Sequence, residues 1–338
     1  MTAQLESPVV TVSLVTFNGL RWLEGCLRSL SAQTAADYEL LVVDNASTDG
    51  TRELLRVEAS RDERIVVCES EQNLGYAVAH NRNIDVARGE YILLLNQDVE
   101  LEDSFIEASL AALRHQLDVA GVQGRLLTLS LAGERTDTID STGLQMHRDR
   151  RVVSRRQAER EDERDLVAGP VWGVDGPAPV FRAAALRSVR EPRTGGGQEV
   201  LDEDFFMYKE DVDLAWRLRR AGWSAWYEPR AVAWHARGAG AHPARSMLDI
   251  ARSNWTIPLW IKRISWRNQR LMQLKNETAA SIAHDLPWIL RREILSLAFM
   301  VAMDQRRLTA IGDLVRLAPS ALRKRRMMSL RAPIDSAR

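Results

Sequence analysis

The sequence predicts an α/β fold in which a mostly parallel sheet is flanked by helices and followed by a helical extension. Short apolar runs of strand length alternate with segments whose apolar residues recur at helical spacing. Such alternation is typical of parallel sheets with helices on both faces. After residue 240 the strand-like runs stop, and Leu, Ile, Trp and Met recur among Arg residues, which predicts several helices.

Four strands are predicted in the first hundred residues, because each run is aliphatic or β-branched and is bounded by polar residues. They are Val9–Phe17, Tyr38–Val43, Ile65–Cys68 and Tyr91–Leu95. The intervening segments carry helical spacing or helix-start residues. The predicted helices are Leu20–Ser31, Arg52–Glu58 and Asn73–Ala87, the last capped by Gly89.

The fourth strand runs directly into the polar residues Asn96, Gln97 and Asp98. In open α/β sheets, ligands bind beyond the carboxyl ends of the strands. A carboxylate at this position suits a divalent cation that holds phosphates. Taken alone, the stretch is explained equally well by two roles for Asp98: a cation ligand, or a turn residue that closes the strand.

Several familiar sites are missing from the sequence. No Gly-x-Gly-x-x-Gly follows the first strand and no Gly-Lys-Ser/Thr occurs, which argues against a nicotinamide-dependent dehydrogenase. Neither the six histidines nor Cys26 and Cys68 have the spacing of zinc ligands, and we expect both cysteines to be reduced thiols. The N-terminus has no signal-peptide pattern.

The second half of the chain is less regular. A helix is predicted at Phe105–Leu117 and a strand at Val119–Leu127, whereas the charged segment Arg148–Arg164 is predicted to be an exposed or mobile loop. A further helix begins at Glu210 and is closed by Gly222. Acidic residues in its first turn complement the helix dipole, and on physical grounds alone that explanation is sufficient.

Four motifs of the first half, in this order and spacing, resemble those of the family 2 glycosyltransferases with a GT-A fold. They are Val12–Asn18, Leu41–Gly50, Asn73–Ala77 and Leu93–Val99. The likeness is greatest to bacterial rhamnosyltransferases, and it reaches the tail at Lys275-Asn276. It implies a GT-A type, Rossmann-like domain over residues 1–240, with a nucleotide-sugar half at 1–100 and an acceptor half at 101–240. Residues 241–338 then form a basic helical region.

The resemblance implies a metal-assisted nucleotide-sugar site. The nucleotide-sugar contacts would be Thr16, Asn18, Asp44, Asn73, Arg82 and Asn96. Asp98 matches the last residue of the family's Asp-x-Asp motif, and His235 matches a histidine that completes metal or diphosphate binding. Magnesium or manganese is the expected cation. Because Asn96 replaces the first Asp of the motif, we expect weaker metal binding that relies more on phosphates and water.

The resemblance also assigns the chemistry of transfer. Asp211 would be the general base, with Glu210 beside it, and the acceptor contacts would be Trp172, Asp175 and Asp213. The implied function is an inverting, metal-dependent glycosyltransferase that moves a sugar, with rhamnose from a dTDP donor as the leading candidate, onto a lipid-linked or cell-surface polysaccharide. The alternative, motivated by Asn96, is a catalytically weak relative that binds nucleotide sugars and acts as a membrane-associated assembly partner.

Residues 241–338 hold 18 Lys and Arg against 7 Asp and Glu, although the whole chain has no net charge. Basic residues interleaved with Trp and Leu favour an anionic membrane surface as partner, and hence a cytoplasmic protein held peripherally at the inner face of the cell membrane. A helical cap on the catalytic domain, or on a second copy in a homodimer, explains the same pattern. No nucleic-acid motif is present, so nucleic acid is disfavoured.

Two details of the tail are also predicted. Pro287 is expected near the start of a helix, after Asp285 as a possible cap. The longest apolar run, Ile294–Met303, is too short to cross a bilayer, which needs about 20 residues.

Overall fold

The first four strands pair in parallel, and their order fixes the position of a crevice. The computed structural model describes residues 7–237 and 257–329. Strand β1 (Val10–Thr16) lies between β2 (Tyr38–Asp44) and β4 (Tyr91–Asn96), and β3 (Ile65–Glu69) pairs with the other edge of β2. Every residue of β2 is buried, as expected for a sheet covered on both faces. Because the strand order reverses between β1 and β4, a ligand is expected at the carboxyl ends of these two strands.

Helices α1 (Leu20–Ser31), α2 (Thr51–Arg61) and α3 (Gly75–Val86) connect these strands as predicted. The predicted cap at Gly89 is wrong, because α3 ends three residues earlier. Gly89 instead packs against the backbone of β1, where an added Cβ would lie 2.4 Å from the Thr11 nitrogen. The glycine is therefore explained by a close approach of two chain segments.

The second half adds strands that complete a ten-stranded sheet. Six strands join this sheet: β5 (Val99–Leu101), β6 (Val119–Leu129), β7 (Arg135–Ser141), β10 (Gly169–Val171), β11 (Val180–Arg182) and β14 (Ser224–His235). Two separate two-stranded sheets are formed by β8 (Leu144–Met146) with β9 (Val152–Ser154) and by β12 (Glu191–Pro192) with β13 (Gln198–Glu199). Strands β6 and β14 pair in parallel, and β11 runs antiparallel between β4 and β6, so it joins the two halves. The helices are α4 (Phe105–His115), α5 (Ala183–Ser188) and α6 (Glu210–Arg220). The predicted α/β class is confirmed, with a sheet of mixed direction.

The prediction of an exposed or mobile loop at Arg148–Arg164 is wrong for most of the segment. It contains β9, which pairs with β8. Arg150 is buried and bonds Glu277 and Asp285, while the guanidinium of Arg156 bonds Asp162 and Asp165. The charges that suggested a solvated loop are largely paired with one another and with the C-terminal region.

Three α-helices lie within the described residues 257–329: α7 (Leu259–Asn276), α8 (Ala279–Met303) and α9 (Thr309–Ser329). Pro287 lies inside α8, so its predicted place near a helix start is wrong. Thr278 caps α8 instead, with its hydroxyl oxygen accepting from the Ser281 nitrogen at 3.1 Å. Over the described ranges, none of the helices combines the length and apolar character needed to cross a membrane.

Two buried lysines fasten these helices to the catalytic domain. The Nζ atom of Lys275 on α7 lies 2.7 Å from Glu191, 2.6 Å from Asp202 and 2.7 Å from Asp213. On α9, Lys324 lies 2.6 Å from Glu199. Part of the basic excess of the tail therefore neutralises acidic residues of the same chain, as the helical-cap explanation expects.

Candidate active site

Asp98 and His235 meet at the edge of the sheet, where the turn between β4 and β5 lies beside the end of β14. The backbone nitrogen of Ala236 donates to the Asp98 carbonyl at 2.9 Å, which holds the two segments together. The His235 Nε2 atom lies 3.4 Å from Asp98 Oδ1. Its other ring nitrogen, Nδ1, lies 2.9 Å from Asp140 Oδ2 on β7.

The geometry and charge of this pair fit a divalent cation. Two neighbouring ligands of an octahedral magnesium or manganese ion are about 3 Å apart, since each metal–oxygen bond is about 2.1 Å. Burial lowers the pKa of His235, but Asp98 and Asp140 outweigh it and raise that pKa to about 10. The pocket thus favours a positive charge between the carboxylates. Asp98 and His235 would hold the ion, while Asp140 fixes the orientation of the ring.

Asp211 and Glu210 occupy the first turn of α6, on the wall of a cavity of about 1050 Å³. Burial and the negative charge of Asp175 raise the pKa of Asp211 to about 6, with Lys209 opposing them. Burial and Asp211 raise the pKa of Glu210 as well. Asp211 is therefore a stronger base than an ordinary aspartate, yet it is still largely ionised near pH 7.

A continuous set of charged contacts joins the two centres. Arg237, two residues after His235, bonds Asp140 on one side, and its Nη2 atom lies 3.5 Å from Asp175 Oδ2 on the other. The Asp175 carboxylate also accepts from the nitrogen of Gly176. An added Cβ at Gly176 would lie only 3.8 Å from Asp211 Oδ2. The Asp98–His235 pair and Asp211 therefore belong to one site.

The nucleotide side is built where β1 and β4 end together. The Thr16 hydroxyl donates to Gln97 Oε1 at 2.6 Å, and the Phe17 nitrogen donates to the same oxygen at 2.8 Å. Asn18 Oδ1 accepts from the Thr48 nitrogen at 2.9 Å. Asn96, at the end of β4, bonds the Pro177 carbonyl through its backbone nitrogen. These residues border the predicted crevice, and their binding roles remain predictions.

Three other predicted nucleotide contacts differ in exposure. Asp44 is fully buried, with Oδ2 accepting from Arg52 Nε at 2.7 Å. Asn73 is exposed, and its Oδ1 accepts from the nitrogen of Gly75 at the start of α3. Arg82 is exposed on α3. Asn73 and Arg82 are accessible to a ligand, whereas Asp44 shapes the loop after β2.

One of the predicted acceptor contacts serves the protein interior instead. Asp213 is fully buried and bonds Arg217 and Lys275, which leaves no surface for an acceptor, so the structure contradicts that prediction. Trp172 packs edge-on against Trp216 of α6, with ring centres 6.3 Å apart, as a partly buried member of an apolar cluster. Asp175 lines the cavity. The acceptor roles of Trp172 and Asp175 stay predictions.

The structure adds residues that the sequence did not indicate. Gln97, Asp140 and Arg237 carry the contacts described above, and Tyr76 donates its hydroxyl to the Gly176 carbonyl at 3.0 Å. Gln97 and Tyr76 lie in the four motifs that resemble the family, and this position is the sequence signal that could have identified them. Asn83 is buried on α3, and its amide donates to Ser13 Oγ at 3.0 Å and to the Leu41 carbonyl at 2.9 Å.

A second acidic cluster has the spacing of a metal site but is filled by lysine. Glu191, Glu199 and Asp202 each offer an oxygen within 4.8 Å of the others. The ammonium groups of Lys275 and Lys324 lie among them at hydrogen-bond distance. Two buried cations already compensate these carboxylates, so the cluster is structural.

Comparison with known proteins agrees with this geometry. Residues 11–137 match the family model described as "Glycosyl transferase family 2". Over this stretch the chain is similar to family 2 glycosyltransferases. The predicted enzyme class, glycosyltransferase, is confirmed.

The relatives that this chain matches include bacterial glycosyltransferases. The "Putative teichuronic acid biosynthesis glycosyltransferase TuaG" of Bacillus subtilis is 35% identical over 103 residues, which is 30% of this chain and 41% of that one. The "N-acetylglucosaminyl-diphospho-decaprenol L-rhamnosyltransferase" of Mycobacterium tuberculosis is 29% identical over 273 residues, covering 73% of this chain and 83% of that one.

Among solved structures, the mannosyltransferase PcManGT of Pyrobaculum calidifontis, in complex with GDP-Man and Mn²⁺, has a TM-score of 0.51 at 17% identity. The superposition covers 97% of this chain and 82% of that one. The predicted GT-A fold is confirmed.

Proposed function

We propose that the protein is an inverting, metal-dependent glycosyltransferase. The observation that carries the proposal is the single site in which the Asp98–His235 pair is joined to the Asp211 base through Arg237 and Asp175. Direct displacement needs a base on one side of the reacting carbon and charge neutralisation of the leaving diphosphate on the other. The site offers both.

In the proposed mechanism, Asp211 takes the proton from the acceptor hydroxyl as that oxygen attacks the anomeric carbon of the donor sugar. The bond from that carbon to the nucleoside diphosphate breaks, with inversion. Asp98 and His235 would hold a divalent cation, which would supply Lewis-acid stabilisation of the departing phosphates. Burial and the negative charge of Asp175 keep Asp211 basic.

For the donor and acceptor we propose rhamnose from a dTDP donor and a lipid-linked or cell-surface polysaccharide. The support is the 29% identity to an L-rhamnosyltransferase whose name specifies a decaprenol-linked acceptor. The cavity beside Asp211 also has Lys209 and Arg237 on its walls, and Arg151 and Arg155 from the β8–β9 region. Such a lining suits an acceptor that carries negative charge.

The test is a panel of UDP-, dTDP- and GDP-linked sugars, assayed for slow hydrolysis with manganese and with chelator. We expect one nucleoside diphosphate to be released, only with metal, and the rate to fall at least about 100-fold in Asp98→Asn, since one of two protein ligands is lost. Asp137→Asn, which alters an exposed surface pair with Arg160, is the matched control. Release that persists with chelator would contradict the metal site, and no release or binding with any donor would favour the assembly-partner alternative.

We also propose that the protein works peripherally at an anionic membrane surface, through the outer face of α8 and α9. On α8 five exposed aliphatic residues recur at helical spacing: Leu286, Leu290, Ile294, Leu297 and Val301. On α9 Ile311, Val315 and Leu322 are exposed beside Arg316, Arg323 and Arg326. Among the described residues of both helices, none of the exposed positions is acidic. An apolar face with exposed Arg residues beside it suits anionic lipid.

Flotation with vesicles tests this surface. We expect the protein to float with phosphatidylglycerol vesicles, less with phosphatidylcholine, and less again at high salt, because the Arg contribution is screened. Ile294→Glu should abolish flotation because it places a carboxylate in the apolar face. Leu117→Glu, at a residue 72% exposed outside α8 and α9, should leave it unchanged. Equal flotation of both variants would rule this face out.

A further inference from the structure

The turn that leads into α6 is strained, and contacts from other elements of the fold hold it in that conformation. Phe206, Tyr208 and Lys209 all have positive φ, at 66°, 67° and 77°. Residues other than glycine rarely adopt this conformation, and it persists only where surrounding contacts impose it. The base Asp211 follows two residues later, so the shape of this turn sets where its carboxylate lies.

One side chain of α7 supplies most of those contacts. Asn268 is fully buried, and its amide nitrogen lies 2.9 Å from the Phe205 carbonyl, 2.9 Å from that of Met207 and 2.8 Å from that of Tyr208. Its two N–H hydrogens are thus shared among three backbone oxygens. Arg267 Nε donates to Asn268 Oδ1 at 2.9 Å, which fixes the orientation of the side-chain amide.

The remaining carbonyl of the turn is held from the nucleotide side. The Phe206 oxygen accepts from the Tyr76 nitrogen at 2.7 Å, at the start of α3. Gly75 allows this approach, because an added Cβ would lie 2.4 Å from the Phe206 ring. Four consecutive carbonyls, of residues 205–208, are therefore fixed by α7 and α3 together.

We propose that Asn268 is a positioning residue for the base Asp211, and that it ties α6 to the nucleotide side of the site. It touches no reacting atom in this arrangement; it acts by holding the turn in its strained shape. Without the amide, the Met207 and Tyr208 carbonyls lose their buried donor, while the Phe205 carbonyl keeps Arg267 Nη2 at 3.1 Å, and the turn can relax. A displacement of about 1 Å at a reacting group costs about 100-fold in rate. This inference rests on the proposed function.

The test compares Asn268→Ala with Trp266→Phe. Trp266 lies on the same helix, is also buried, and donates through Nε1 to Ser296 Oγ at 3.0 Å, away from the turn. Each variant loses a buried hydrogen bond of α7, but only Asn268→Ala releases the turn. If Asn268→Ala cannot be recovered folded, Asn268→Ser, which keeps one hydroxyl donor, carries the same comparison.

Three quantities are measured: the donor dissociation constant, kcat for metal-dependent donor hydrolysis, and hydrogen exchange over residues 205–213. We expect Asn268→Ala to lower kcat about 100-fold with the dissociation constant unchanged, and to speed exchange in that segment. Trp266→Phe should leave all three near wild type. An equal kcat in the two variants, or a donor affinity that falls in step with kcat, would overturn the positioning role while leaving the proposed function intact. A wild-type protein that hydrolyses no donor would overturn both.

Discussion

Replacing Asp211 with Asn should lower kcat by about 10²- to 10⁴-fold, which is the contribution of a positioned general base. The substitution keeps the size of the side chain and removes its ability to take a proton. Donor affinity should stay close to wild type, because the predicted nucleotide contacts lie at the other end of the site. Single-turnover release of nucleoside diphosphate, together with donor binding by calorimetry, measures the two effects separately.

The pH profile of the wild-type enzyme is part of the same prediction. A base must be deprotonated to act, and the pKa of Asp211 is raised to about 6, so kcat/KM should rise with pH through that value. Asp175, Glu210, Lys209 and Arg237 carry the charges that surround it. The Asn variant should lose the acidic limb of the profile. A variant that keeps more than a tenth of wild-type kcat, with an unchanged profile, would show that another group is the base.

Replacing Lys275 with Met should destabilise the protein by about 3–5 kcal/mol, the usual cost of breaking a buried ion pair by removing one partner. Glu191, Asp202 and Asp213 each lie within 2.7 Å of the Lys275 ammonium group and are buried. Methionine fills a similar volume, so the effect reports the uncompensated carboxylates and not a cavity. Equilibrium unfolding in urea, followed by circular dichroism, gives the free energy.

Arg160→Met provides the control for that measurement, since the Arg160–Asp137 pair is exposed. Exposed pairs contribute about 0–1 kcal/mol, so this variant should unfold close to wild type. If Lys275→Met lost no more stability than the control, the buried carboxylates would have to be protonated in the folded state, and the lysine would not be their main compensation.

The sequence predicts the parts of the site that depend on local pattern. The aliphatic runs of β1, β2 and β4 and the polar residues at their ends follow from burial on both faces of a sheet, and the acidic start of α6 follows from helical spacing. Asp140 and Arg237 are different, because their partners are distant in the chain. Asp140 contacts His235, 95 residues away, and Arg237, 97 residues away. Arg237 also contacts Asp175, 62 residues away. No local periodicity records such contacts, and the same holds for Asn268, whose partners are about 60 residues distant.

The basic charge of the C-terminal region shows the same limit of prediction from sequence. The basic excess of residues 241–338 is visible in the composition and indicates an anionic partner. Composition does not distinguish a lipid headgroup from a carboxylate of the same chain. Lys275 and Lys324 bond internal acids, whereas Arg316, Arg323 and Arg326 remain exposed, so the basic residues divide between two roles.

The buried lysines also impose an order of events during synthesis. The acidic groups at positions 191–213 leave the ribosome well before Lys275 and Lys324, which are translated 62 residues after Asp213 and 122 residues after Asp202. Until both lysines emerge, Arg217 can pair with Asp213, but Glu199 and Asp202 lack their lysine partners. The Asp211 turn likewise lacks its Asn268 amide until α7 has been made. The arrangement of charges and backbone seen around Asp211 therefore requires residues as far along the chain as Lys324 to have been made.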